Sequence, residues 1–73
     1  DPDHGAPAAL EALTEVLRLE PRHGLALYYS GEVLRRTGRL EEAKGFFERA
    51  IRPLAPDRRP IEALKLLQSP VKK

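Results

Sequence analysis

A chain of 73 residues with 41% hydrophobic and 33% charged residues has room for one small core, and a domain of this size covers only about 60% of the surface its unfolded chain exposes. The absence of cysteine excludes disulfides, thiolate nucleophiles and zinc–thiolate sites. The net charge of +2 comes from 13 Lys and Arg interspersed with 11 Asp and Glu, which excludes the basic block that phosphate attraction requires. No apolar run approaches the roughly 20 residues that span a bilayer.

The chain opens on Asp1-Pro2-Asp3, without Met and without the charged and apolar regions of a signal peptide. It reads as a piece of a longer protein, with a cytoplasmic setting as the default.

Proline and glycine divide the sequence into four helical stretches. The first runs over 6–20, with Pro7 suited to a first turn and Ala9, Leu13, Val16 and Leu17 recurring at helical spacing. Leu10 and Ala12 widen that apolar face, and Pro21 closes the segment by pushing Glu20 away from helical geometry. The second runs from His23 to Arg36, with Leu27, Gly31 and Leu34 on one stripe and Arg35 and Arg36 at the negative end of the helix dipole. Gly38 supplies a left-handed stop.

The third stretch runs from Leu40 to Arg52, where Leu40, Ala43, Phe47, Ala50 and Ile51 mark one face and Pro53 ends or kinks the helix. The last runs from Arg59 to Gln68, capped by Asp57 and opened by Pro60, with Ile61, Leu64 and either Leu67 or Gln68 facing inward. Ser69-Pro70 stops it, and residues 70–73 form a frayed tail. No segment alternates apolar and polar residues over a strand length, so the fold class is all-α.

Self-comparison is more specific. At an offset of 34, Ala9 falls on Ala43, Leu13 on Phe47, Val16 on Ala50 and Leu17 on Ile51, so one helix face is written twice. Beyond Pro53 the offset becomes 35, with Leu19 on Leu54 and Pro21 on Pro56, which places one inserted residue near Pro53.

This pattern resembles the tetratricopeptide repeat, a 34-residue pair of helices, A and B, that stacks into a solenoid. Leu27 stands at the family's large aromatic position, Gly31 at its small contact position, Leu34 at a large apolar one and Gly38 at the turn glycine. Arg39-Leu40-Glu41-Glu42-Ala43 is similar to the family's opening of helix B, and Phe47, Ala50 and Pro56 complete the signature. Ser30 in place of an apolar residue, Leu27 in place of Trp and the insertion near Pro53 are departures.

The resemblance implies an array of about four antiparallel helices: a preceding helix B over 6–20, a complete repeat over 23–56 and a closing helix over 57–69. Small residues at 31, 43 and 50 would let backbones approach while Leu34 and Phe47 fill the spaces between.

Catalytic chemistry finds little support. His4 and His23 are far apart without acidic partners at helical spacing, so capping or surface roles suit them better than metal ligation. Ser30 and Ser69 lie outside any nucleophile elbow. Glu41 and Glu42 point about 100° apart in a first turn where negative charge is favourable, a structural role. No enzyme activity, cofactor or metal is expected.

The candidate partner-binding face is Leu25, Tyr28, Glu32, Arg35 and Arg36 on helix A, which in the resembling family lines the concave groove. Tyr28 offers a ring with a polar tip, and Glu32 and Arg35 could select charge. The competing expectation is structural: Tyr28 packs on a neighbouring helix, Glu32 pairs with Arg35 or Arg36, and Arg35, Arg36 and Arg39 compensate a helix dipole. Tyr28 and Glu32 stand where Lys and Asn would be needed to clamp a chaperone's terminal carboxylate, so that ligand is not expected.

The expected function is a scaffold or adaptor that binds a peptide or helix of a partner protein. Self-association is the alternative, since so few repeats leave helix sides uncovered. Contact with nucleic acid through Arg35, Arg36, Arg39, Arg58 and Arg59 is the reading least favoured by the charge pattern, and no membrane contact is expected.

Overall fold

A computed structural model describes the backbone of residues 2–68 and the side chains of residues 8–67. The expected stop at Ser69-Pro70, the tail over 70–73 and the surface role of His4 lie outside those described residues. The order is α1 (Pro2–Leu19), α2 (Gly24–Arg36), α3 (Leu40–Leu54) and α4 (Arg59–Gln68), with no strand among the described residues.

α1 starts earlier than Pro7 predicts. Its first residue is Pro2, which also meets the first-turn requirement. His23 caps α2, its Nδ1 accepting a hydrogen bond from the Ala26 amide at 3.1 Å.

α2 ends in a Schellman motif. The Arg39 amide donates to the Leu34 carbonyl at 2.9 Å and the Gly38 amide to the Arg35 carbonyl at 3.1 Å, while Gly38 has φ +85°. Thr37 adds a hydroxyl bond to the same Leu34 carbonyl at 3.0 Å. The glycine is required here because a side chain in the left-handed region crowds the carbonyl that follows it.

The turn sends α3 back along α2. A Cβ added at Gly31 would sit 2.6 Å from Phe47 Cε1, and one added at Gly24 would sit 2.8 Å from Leu54 Cδ2. Seven residues back along α2 therefore match seven forward along α3, two turns in opposite directions, as antiparallel packing demands.

Leu27, Leu34, Ala43, Phe47 and Ala50 are all buried, so the repeat-signature positions of this helix pair meet at its interface; Pro56 is exposed in the α3–α4 connection. Ser30 is buried as well, and its hydroxyl has no hydrogen-bond partner among the described residues.

α3 corrects a second expectation. It passes through Pro53 and ends at Leu54, since a proline in the last turn sacrifices a single backbone bond and Pro53 and Leu54 both lie against Gly24. Leu40, expected inside, is 48% exposed as the first residue of α3, three residues before that helix reaches its first buried position at Ala43.

In α4 the buried positions are Pro60, Ala63 and Leu64, with Ile61 only half-buried, so its inward face is rotated slightly from the one expected. The cap position of α4 is Arg58, and Asp57, expected there, lies one residue earlier and accepts from the Arg59 amide at 2.9 Å, holding the turn into the helix.

The face written twice is buried once. α3 lies between α2 and α4, and Ala43, Phe47 and Ala50 are fully covered. α1 packs chiefly against α2, and Ala9 and Ala12 are exposed while Leu10, Leu13, Val16 and Leu17 are half-buried.

Candidate functional site

The binding face predicted on α2 borders a hollow of about 770 Å³. Ala9, Ala12 and Leu13 of α1 form one wall, Tyr28, Tyr29, Glu32, Val33, Arg35 and Arg36 of α2 the other, and Arg59 from the start of α4 stands at one end. The wall on α1 is low because Ala9 and Ala12 carry a single methyl group each.

Four of the five predicted residues, Tyr28, Glu32, Arg35 and Arg36, are thus brought together. Leu25 is not. It is 39% exposed in the first turn of α2, at the opposite end of that helix from Arg36, and it does not line the hollow.

Tyr28 is half-buried between core and surface. Its ring lies 5.7 Å from that of Phe47 and 5.4 Å, edge-on, from that of Tyr29, both within the usual range of aromatic pairs. The Arg59 guanidinium stands over it, 5.3 Å from the ring centroid. Burial, then the neighbouring Glu32 carboxylate, raises the Tyr28 phenol above its ordinary value.

Burial alone would raise Glu32 too, but hydrogen bonding to Arg35 and Tyr28 together with the charges of Arg35 and Arg36 holds it below the ordinary carboxylate value. At neutral pH the site therefore presents an ionised Glu32 beside a protonated Tyr28.

The pairing of Glu32 with Arg35 is direct, at 2.7 Å, and meets the structural expectation for both residues. A partly exposed pair of this kind contributes only about 0.2–1 kcal/mol. Arg59 gives Nε and Nη2 to Asp57 at 2.9 and 2.8 Å, which keeps that carboxylate ionised to lower pH. Arg36 has no carboxylate within 4 Å among the described residues.

Tyr29, Val33 and Arg59 were missing from the predicted face. The spacing of Tyr29 and Val33 on α2 could have included them, since they lie one position after Tyr28 and Glu32. Arg59 had no such signal: thirty residues of intervening chain must fold before it reaches Tyr28.

Two smaller hollows are also present. One, of about 330 Å³, shares Tyr28, Glu32 and Arg59 with the first and continues toward Leu66 of α4. The other, of about 460 Å³, lies between the α1–α2 turn and α3, around Arg22, Arg49 and Arg52. Among the described residues no three His, Cys, Asp or Glu side chains converge, and no helix is long and apolar enough to cross a membrane.

The tetratricopeptide repeat family model matches residues 4–58, covering all of α2 and α3 and most of α1. The chain belongs to the tetratricopeptide repeat family. No curated protein and no solved structure matches it. Tetratricopeptide repeats generally mediate protein–protein interaction and are typically non-catalytic.

Proposed function

We propose that the chain is a non-catalytic scaffold or adaptor module that receives a peptide or helix of a partner protein in the hollow between α1 and α2, with α4 closing the stack. The observation that carries this reading is the pair of tyrosines, Tyr28 half-buried and Tyr29 44% exposed, standing edge to face in an apolar depression bordered by arginines. Aromatic anchors with a polar tip, surrounded by charge, are characteristic of the centres of binding surfaces.

Partners captured by the chain, once purified, are to be titrated against the wild type and against Tyr28→Ala and Tyr29→Ala. At least a tenfold loss of affinity is expected for one of the two variants, the size of a typical hot-spot residue. Because Tyr28 also touches Phe47, retention of helical circular dichroism must accompany each titration. Arg49→Ala, in the hollow on the other side, is the control. Equal affinity in both tyrosine variants would remove the hollow from consideration.

Self-association is a second reading, favoured by the half-covered α1 face of Leu10, Leu13, Val16 and Leu17 and by Leu66, 73% exposed on α4. Sedimentation velocity over a concentration series tests it. A rising sedimentation coefficient that Leu13→Glu abolishes is the expected result, and a monomer at every concentration excludes it. The arginine-rich reading is weaker. Of Arg35, Arg36, Arg39, Arg58 and Arg59, all but Arg36 have a carboxylate within 4 Å, leaving little net charge for phosphate.

A further inference from the structure

Most of the positive charge on this chain is committed in pairs. Of its nine arginines, Arg18, Arg35, Arg39, Arg58 and Arg59 each have a carboxylate within 4 Å. Arg22, Arg36, Arg49 and Arg52 have none among the described residues. Three of these four, Arg22, Arg49 and Arg52, line one hollow, that of about 460 Å³ between the α1–α2 turn and α3. It shares no residue with the hollow between α1 and α2.

Two parts of the chain bring these cations together. Arg49 and Arg52 are three residues apart on α3 and so share a face of that helix. Arg22 comes from the turn before α2. Compensation of a helix dipole accounts for Arg52, in the last turn of α3, but not for Arg22. That residue precedes the His23 cap at the positive end of α2, where a cation is unfavourable. Arg49 stands over the Phe46 ring at 5.2 Å, which steadies the side chain without neutralising it. Glu48 is the one acidic residue lining the hollow, and it lies beyond 4 Å from all three arginines. Pro21, Leu27, Ile51 and Pro53 supply the apolar part of the lining.

The number of cations selects the ligand. A peptide carboxylate offers one charge and two oxygens, which a single guanidinium matches as a fork. A phosphate monoester brings about −1.5 to −2 charges and three acceptor oxygens, enough to take donors from three sides. No aromatic residue lines the hollow, so nucleic-acid bases have nothing there to stack on. Three cations also fall short of the clusters of about 4–8 that hold a segment on an anionic membrane.

We infer that this hollow binds a phosphorylated side chain of a partner peptide, with the phosphate among Arg22, Arg49 and Arg52 and its aliphatic neighbours against Pro21, Ile51 and Pro53. The site is separate from the binding face on α2, so either can fail without the other.

The test uses the 73-residue chain and end-blocked peptides of the order Gly-Val-Leu-Ser-Leu-Val-Gly, titrated by calorimetry. The serine is phosphorylated, left free or replaced by Glu. Inorganic phosphate, phosphatidylcholine vesicles containing a phosphoinositide, and single-stranded DNA are titrated alongside. The phosphopeptide is expected to bind about tenfold tighter than the free-serine form, and several-fold tighter than the Glu form or inorganic phosphate. Its affinity should fall as salt is added. Arg22→Gln, Arg49→Gln and Arg52→Gln should each weaken it several-fold. Arg18→Gln, an equal loss of charge outside the hollow, should leave it unchanged. All four positions are exposed, so helical circular dichroism should be retained throughout.

Equal binding of the phosphorylated and Glu peptides would overturn the preference for phosphate. Binding no tighter than that of inorganic phosphate would reduce the site to an adventitious ion only. Binding of vesicles or DNA without the phosphopeptide, phosphopeptide binding indifferent to all three arginine variants, or none at millimolar concentration would each overturn the inference. None of these outcomes bears on Tyr28 and Tyr29, which line the other hollow.

Discussion

Phe47→Ala is expected to remove a large part of the chain's stability, more than truncation of any half-buried side chain. Phe47 is fully buried, and its ring touches Gly31 on α2 while sharing a core with Leu34, Ala43, Ala63 and Leu64. Truncating a buried phenylalanine removes its transfer free energy and leaves a cavity, at a cost of about 3–5 kcal/mol. Whole-domain stability scales at roughly 0.05–0.15 kcal/mol per residue, which places a chain this short near 4–11 kcal/mol. A stability at the lower end of that range would be largely consumed.

Phe46→Ala is the matched control, because the two phenylalanines are neighbours on α3 and the substitution is identical. Phe46 is only half-buried, with Arg49 over its ring at 5.2 Å. Urea denaturation followed by helical circular dichroism should show a much lower midpoint for Phe47→Ala than for Phe46→Ala. Equal midpoints would mean that the α2–α3–α4 core is not the seat of stability.

The residues that make the α2–α3 hairpin could be read from the sequence because their demands are local or periodic. Gly38 was legible as a left-handed stop, and Gly31, Ala43, Phe47 and Ala50 recurred at spacings that only a helix pair brings together. Burial was less legible. The repeat from Ala9 to Leu17 carries the same pattern as that from Ala43 to Ile51, yet the first copy is half-exposed, since burial depends on how many neighbours a helix has. Pro53 misled for a related reason: its penalty is an interior one, and the contact with Gly24 that steadies the last turn of α3 is tertiary.

In the candidate site, residues on one helix were legible and those from elsewhere were not. Tyr28, Glu32, Arg35 and Arg36 share α2, so their spacing gathers them. Arg59 and the α1 wall enter only through packing, and Leu25, correct in spacing, lies at the end of α2 that the hollow does not reach. The half-buried Tyr28 joins the two parts, with one side on Phe47 in the core and the other bordering the hollow.

That junction depends on Gly31, and substitution there is expected to separate two opposing effects. Alanine in place of glycine in a helix interior stabilises by about 1 kcal/mol through backbone entropy. Here the added methyl would meet Phe47 Cε1, Cδ1 and Cζ at 2.6, 2.7 and 2.9 Å, distances no Cβ tolerates. Because the ring is enclosed, relief requires the helices to part, and overpacking of this kind costs about 1–3 kcal/mol.

Gly31→Ala should therefore be destabilising in spite of its propensity, and Gly31→Val more so, since its added branches need still more space. A double-mutant cycle decides whether the ring is the cause. In a Phe47→Leu background the Cε1 and Cζ atoms are gone, so Gly31→Ala should lose most of its penalty and leave a coupling energy of about 1 kcal/mol or more. Chemical denaturation of the four proteins in the cycle supplies the numbers. An equal cost for Gly31→Ala in both backgrounds would show that something other than the seat of Phe47 requires glycine at this position.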